Sequence, residues 1–231
     1  MIRKAFIALA LLLFGVLFAT LWAGYVPDPA LNRTAAYYAA NAKPEIGAPN
    51  IVTAIIITWR GLDTLGEVTV LFLTAAIVGM VLVPSRARAS GVVFRPAGEL
   101  LATGARMIAP LVVLLGGYVL ANGHLTPGGG FQGGAILASA VLLMLLADPA
   151  RRFGHKLIGR IESASGVTYV GLGLLGMLVA GGFLDNSVLP LGRFGAMLSA
   201  GIIPLISAVI GLKVGAEFAS ILMTLEETED A

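Results

Sequence analysis

Gly123-His124-Leu125-Thr126-Pro127-Gly128-Gly129-Gly130-Phe131-Gln132-Gly133-Gly134 decides the fold. It lies between two uncharged apolar runs, Met107–Asn122 and Phe131–Ala147, each about long enough to cross a bilayer. The stretch therefore reads as a tight hairpin between two membrane helices. Gly123 suits a left-handed helix stop. Thr126 is placed to cap the returning helix, and Pro127 to enter its first turn, where a missing N–H costs nothing. Pro127, Gly128, Gly129, Gly130 and Phe131 form the structural hairpin, and His124 is its one titratable side chain.

Gly128, Gly130 and Gly133 also have the G-x-G-x-x-G spacing of a dinucleotide-binding loop. That motif needs a preceding strand and a ribose-binding acid about 20 residues on. Apolar helices flank this one, and the next acid, Asp148, lies beyond a membrane span. Close helix packing explains the glycines better.

Composition agrees with a membrane chain. Of 231 residues, 58% are hydrophobic and 12% charged, against roughly a quarter charged in a soluble domain. Without cysteine there is no disulfide, thiolate metal site or Cys nucleophile. His124 and His155 are too far apart for a zinc motif, so no metal site and no cofactor are expected. A net charge of +2 offers nothing for nucleic acid. Nothing here points to a stand-alone enzyme.

Outward from the hairpin, the chain reads as all-α with about six transmembrane helices. Ala5–Tyr25 is uncharged for 21 residues, longer than the roughly 7–15 residues of a secretory signal core, so a retained span is expected. Val26–Asn50 is a polar excursion rich in proline, with a weak helical signal at Ala35–Ala42. Ile51–Trp59 is apolar but too short to cross, and fits the interface or a re-entrant segment. Val68–Val83 is the second span, ended by Pro84; Gly166–Leu184 is the fifth. Phe194–Leu212 begins the sixth, where Pro204 is expected to kink the helix and free a carbonyl. Val92–Thr103 reads as a short amphipathic segment, and a domain boundary is placed near residue 88, giving 1–88 and 89–231.

Charges inside or beside spans are the candidate site residues. Thr64 and Glu67 have capping-box spacing before an apolar helix. Glu67 reads equally as that cap and as an ion or proton carrier. Asp63 lies four residues before Glu67, so a helix running back through it puts like charges on one face. Lys213 and Glu217 are four apart in an apolar run, either an ion pair at the membrane edge or a proton-relay pair within it. With both termini cytoplasmic, Arg3, Lys4, Arg86, Arg88, Arg95, Arg106, Arg151, Arg152, Lys156 and Arg160 fall inside; Arg33, Lys43, Arg60 and Arg193 fall outside. That bias follows the positive-inside rule and puts the His124 hairpin on the outer side.

The hairpin from Gly123-His124 through Pro127–Gly134 resembles the signature of the MnhB-like (B-type) component of Mrp-type multisubunit Na+/H+ antiporters. The stretch from Ile203-Pro204-Leu205 to Gly211-Leu212-Lys213-Val214-Gly215-Ala216 resembles the last helix of that component. Asn50-Ile51-Val52 through Trp59-Arg60-Gly61-Leu62-Asp63-Thr64-Leu65-Gly66-Glu67 resembles the C-terminal part of the large A-type component. In related membrane-bound hydrogenases a similar piece is a separate small E-type protein. The resemblance implies two neighbouring pieces of one assembly fused in a single chain of the cell inner membrane. It implies large antiporter-like and small helical subunits as partners, lipid around them, and Na+ and H+ as transported ions. It also implies a functional acid at Glu67, with Asp63, His124, Lys213 and Glu217 along the ion and proton path. A redox-driven complex using the same module and a purely structural bracket between larger subunits remain open alternatives.

Overall fold

The computed structural model describes residues 2–27, 29–86, 97–148 and 153–229. The expected boundary near residue 88, Arg88, Arg95, Arg151, Arg152 and residues 92–96 of the expected amphipathic segment lie outside the described residues. The chain forms two compact units, Met1–Tyr37 and Tyr38–Ala231. The first holds α1 (Ile2–Ala23), whose membrane-length stretch buries none of its side chains. α2 (Arg33–Asn41) runs across the division.

The second unit is a bundle of five long helices under a cap. The helices are α4 (Gly61–Arg86), α5 (Glu99–Ala121), α6 (Gly130–Ala147), α7 (His155–Val179) and α8 (Ile203–Glu229). With α1 they make six helices long and apolar enough to cross a membrane. No strand occurs among the described residues. α8 is the hub: α4, α5, α6 and α7 all pack on it, and over half of its membrane-length stretch is buried.

Glycine sets how closely α8 is approached. Gly130 and Gly134 on α6 face Gly211 and Gly215 on α8. A Cβ at Gly134 would stand 2.7 Å from the Gly211 carbonyl oxygen and 3.0 Å from the Gly215 nitrogen. Two small-x-x-x-small pairs thus form one seam, where backbones touch and dispersion replaces side-chain packing. Gly116 on α5 meets Gly133 on α6 in the same way.

The cap gathers three connections at one end of the bundle: residues 41–60, 122–129 and 180–202. Residues 41–60 hold a π turn (Ala42–Ile46), the four-residue helix α3 (Ile51–Ala54) and a second π turn (Ile55–Trp59). Residues 180–202 are an irregular loop with one short 3-10 turn, Asn186–Val188. Two amides stitch the cap. Buried Asn186 donates to the Ile46 carbonyl at 2.8 Å and accepts from the Ile202 N–H at 3.1 Å. Half-buried Asn50 caps α3 through Oδ1 and donates through Nδ2 to the carbonyls of Gly123 (2.7 Å) and Thr126 (2.9 Å).

Several local expectations are corrected. α5 begins at Glu99, eight residues before the apolar run, because small residues carry the helix through Arg106. α5 ends at Ala121 with Asn122 as its C-cap, and Gly123 is not left-handed. Gly123 is required for closeness instead, since a Cβ there would lie 2.6 Å from Gly129 Cα. Thr126 does not cap α6 and Pro127 is not in its first turn. α6 starts at Gly130 behind Gly129, and the Thr126 hydroxyl donates back to the Asn122 carbonyl at 3.2 Å. Gly128 and Gly129, at φ 149° and 140°, turn the chain where L side chains are strained. α4 continues past Pro84 to Arg86. The sixth span starts at Ile203 and not near Phe194. Pro204 therefore sits in the first turn, where it removes no helix bond and makes no kink.

Candidate functional site

Buried charge is concentrated on α8. Lys213 stands ten residues into the helix, about 15 Å from its start. Its Nζ donates to Glu217 Oε1 at 2.6 Å. Glu217 is 0% exposed and Lys213 8%. Glu217 Oε2 has no hydrogen-bond partner among the described residues. The pair therefore lies mid-helix and inside the bundle, where an ionised side chain is costly without a counter-charge. Phe72 of α4 places its ring 5.3 Å from Lys213 Nζ, within cation–π distance. On the α7 side, a Cβ at Gly166 would lie 3.6 Å from Nζ.

α7 adds two polar groups on the face that carries Gly166. Glu162, four residues before it, stands at the same step from Gly166 as Glu217 does from Lys213 on the antiparallel α8. Tyr169, three residues after it, is 2% exposed and donates to the Gly61 carbonyl at 2.9 Å, so α7 holds the first turn of α4.

α4 begins at Gly61, so the capping box at Thr64 does not form. Thr64 is buried inside the helix, and its hydroxyl donates to the Ile56 carbonyl at 2.5 Å. Glu67 is a second-turn residue, about 9 Å in from Gly61. Its side chain is exposed on the flank of a span-length helix. Asp63 does share the face of Glu67, but it is exposed and paired with Arg60. Asp63 also helps line a cleft of about 620 Å³ on the cap, with Glu45, Thr58, Arg60, Asp185 and Asn186.

His124 is fully buried in the cap. Its Nε2 lies 3.3 Å from the Ala196 carbonyl, and Nδ1 has no hydrogen-bond partner among the described residues. Burial pushes the imidazole below its ordinary value of 6.5; the Ala196 carbonyl offsets only part of this. The His124 carbonyl accepts the Asn50 N–H at 3.1 Å, and the Gly123 carbonyl accepts the Thr53 hydroxyl at 2.7 Å.

The structure thus joins Lys213 with Glu217, leaves Glu67 exposed on the flank of α4, and keeps Asp63 at the cap cleft and His124 in the cap. The sequence reading missed Glu162, Tyr169, Asn50, Thr53 and Asn186 as working residues. The four-residue step from Glu162 to Gly166, and the three further to Tyr169, is the one helical signal that could have found two of them. No group of acids and histidines that could hold a metal occurs among the described residues.

A hub helix carrying a buried ion pair, wrapped by glycine-packed spans, defines a multi-pass membrane protein with charge kept inside its bundle. Comparison with known proteins gives the family. Residues 100–220 match a family model described as a domain related to the MnhB subunit of Na+/H+ antiporter, and the chain belongs to that family. Residues 2–106 match a second model, MbhE, described as the E component of MBH. An uncharacterized protein of Methanocaldococcus jannaschii is 32% identical over 207 residues, 78% of each chain. A chain in the structure of the membrane-bound sulfane sulfur reductase, an archaeal respiratory membrane complex, superposes with a TM-score of 0.76. It is 34% identical, over 97% of this chain and 98% of that one. A chain of the Mrp complex from Dietzia sp. DQ12-45-1b gives 0.77 at 26% identity, over 96% of this chain and 26% of that one.

Proposed function

We infer that this chain is a membrane subunit of an Mrp-type cation/proton antiporter assembly, contributing to its proton and ion path and to its cohesion. The observation that carries the reading is Glu217: fully buried on the hub helix, bonded to Lys213 through one oxygen, with the other unbound. A bracket needs no such group, since apolar packing of the same volume is as stable or more so. Glu67 supplies the approach from the cap end. Facing hydrocarbon it would cost several kcal/mol, so a neighbouring protein of the assembly or a cation covers it. Asp63 and the cap cleft lie at its outer end, and Tyr169 ties α7 to the first turn of the helix that carries Glu67. His124, held neutral, fixes the hairpin under Ala196 and tunes access on that side. Na+ or a similar cation would compete with H+ at Glu67, and protons would move along Lys213 and Glu217. With the positive-inside orientation, the cap faces outward.

Glu67→Gln in the assembled complex, reconstituted in vesicles with a ΔpH dye, should abolish exchange. Exchange at the wild-type rate with assembly intact would remove Glu67 from the path. Neutralising Glu67, Lys213 and Glu217 together separates this reading from a structural bracket. The bracket loses assembly on a native gel while keeping transport per complex.

A second reading has its own support. The likeness to the sulfane sulfur reductase complex extends over nearly the whole of both chains. On that reading the module is driven by electron transfer in other subunits, because this chain has no cysteine to hold a cluster. Iron and acid-labile sulfide in the purified native complex would favour it; their absence favours the stand-alone antiporter.

A further inference from the structure

We propose that Glu162 on α7 is the proton-release residue of the buried pair, taking the proton that leaves Glu217 towards the bundle end opposite the cap. The proposal rests on the antiporter reading above and adds a residue and a direction to it.

Glu217 offers one route out. Oε1 is committed to Lys213, and Oε2 is buried without a partner. The groups that could receive a proton from Oε2 are limited by what packs on α8. α6 carries no charged side chain along its whole length. α5 has Glu99 and Arg106 in its first turns. From α4, Phe72 covers Lys213 on one side. On α7, Gly166 leaves the backbone open to the Lys213 ammonium, and Glu162 sits one turn further along that face. α7 and α8 run antiparallel, so the four-residue step from Gly166 back to Glu162 follows the four-residue step from Lys213 on to Glu217.

Position along the membrane gives the direction. Glu217 lies about 21 Å from the cap end of α8. Glu162 lies seven residues into α7, about 10 Å from the end away from the cap. Helical side chains lean towards their own N-terminus. Glu162 therefore leans to the far face, and it is half-buried where Glu217 is fully buried. A carboxylate between a buried acid and the far face is a release point.

The step balances without any other reactant than water. With Glu217 protonated at Oε2, that O–H bond breaks and its electron pair stays on Oε2. The proton passes through water to a Glu162 oxygen, where a new O–H bond forms. Glu217 is left as a carboxylate held by the Lys213 ammonium. Glu162 then gives its proton to water at the far face.

The test uses the assembled complex in vesicles, with exchange followed by a ΔpH dye and assembly by native gel. Glu162→Gln should lower exchange about a hundredfold or more, the scale of a lost proton-transfer group. Glu162→Asp keeps the carboxylate one methylene back and should retain exchange with a displaced pH profile, which a packing role would not produce. Glu162→Gln within twofold of wild type, alongside a dead Glu67→Gln, overturns this inference and leaves the antiporter reading intact. Wild-type rates in both overturn the antiporter reading as well. If Glu162→Gln does not assemble, Glu162→Asp decides: an unchanged rate and pH profile overturns the proposal, and a displaced profile supports it.

Discussion

Lys213→Met should strand a carboxylate inside the bundle. Removing one partner of a buried pair costs about 3–5 kcal/mol, far more than the intact pair contributes. The purified complex should therefore melt well below wild type. Lys213→Met with Glu217→Met should restore most of that stability while exchange stays dead; a double variant as unstable as the single one would show that the pair is not the cause. His124 gives a pH signature of opposite origin. Its folded value lies below the ordinary 6.5 because of burial, so the unfolded chain takes the proton first. The contribution of the neutral ring is complete above 6.5 and is lost as pH falls through the lowered folded value. Melting temperature should drop as the buffer is taken from 6.5 down through the lowered folded value, and His124→Gln should flatten the drop. An equal slope in both proteins would assign the effect elsewhere. Lys213 and Glu217 were legible in the sequence because two charges at a helical step stand out in an apolar run. Glu162 was not: it follows Arg160 by two residues and so resembles the charged loop before it.

The α6–α8 seam makes a prediction about elements. Gly134→Ala places its Cβ against backbone atoms of Gly211 and Gly215, which cannot swing aside. A loss of about 1–3 kcal/mol should follow, as for other overpacked contacts, read as a lower melting temperature. Gly171→Ala is the control, because nothing lies within 4 Å of its Cβ position; it should be neutral or gain up to about 1 kcal/mol from helix propensity. Equal effects would mean that the seam is not the tight contact. Asn50→Ala tests the cap. It removes the Asn50 donor from the Thr126 carbonyl and leaves the Gly123 carbonyl with the Thr53 hydroxyl, costing about 1–3 kcal/mol, and should raise amide exchange at residues 122–126. The spans themselves were readable from apolar length, but their ends were not. α5 starts early and α8 starts late, because the ends depend on small residues tolerated in a helix and on where the cap holds the chain. Pro204 shows the consequence: the same residue is a kink in mid-helix and harmless in the first turn.

At the scale of the whole molecule, orientation is the open prediction. The chain contains no cysteine, so single substitutions report cleanly. Arg193→Cys, in the cap, should react with an impermeant maleimide added to intact cells, and Lys156→Cys only after permeabilisation. The reverse pattern would invert the assignment of the cap to the outer side. What the sequence settled alone was membrane residence, all-helical class and the number of long apolar helices. Each of these follows from composition along a single segment, because transfer into a bilayer depends on local apolar length. Only the tertiary structure decided which side chains meet. Asn50 reaches Gly123, Tyr169 reaches Gly61, and Gly166 of α7 lies against the Lys213 ammonium of α8. Those encounters depend on how each helix is rotated and how near it comes to α8. Rotation and approach are set by glycine contacts between positions far apart in the chain, which no reading of one segment contains.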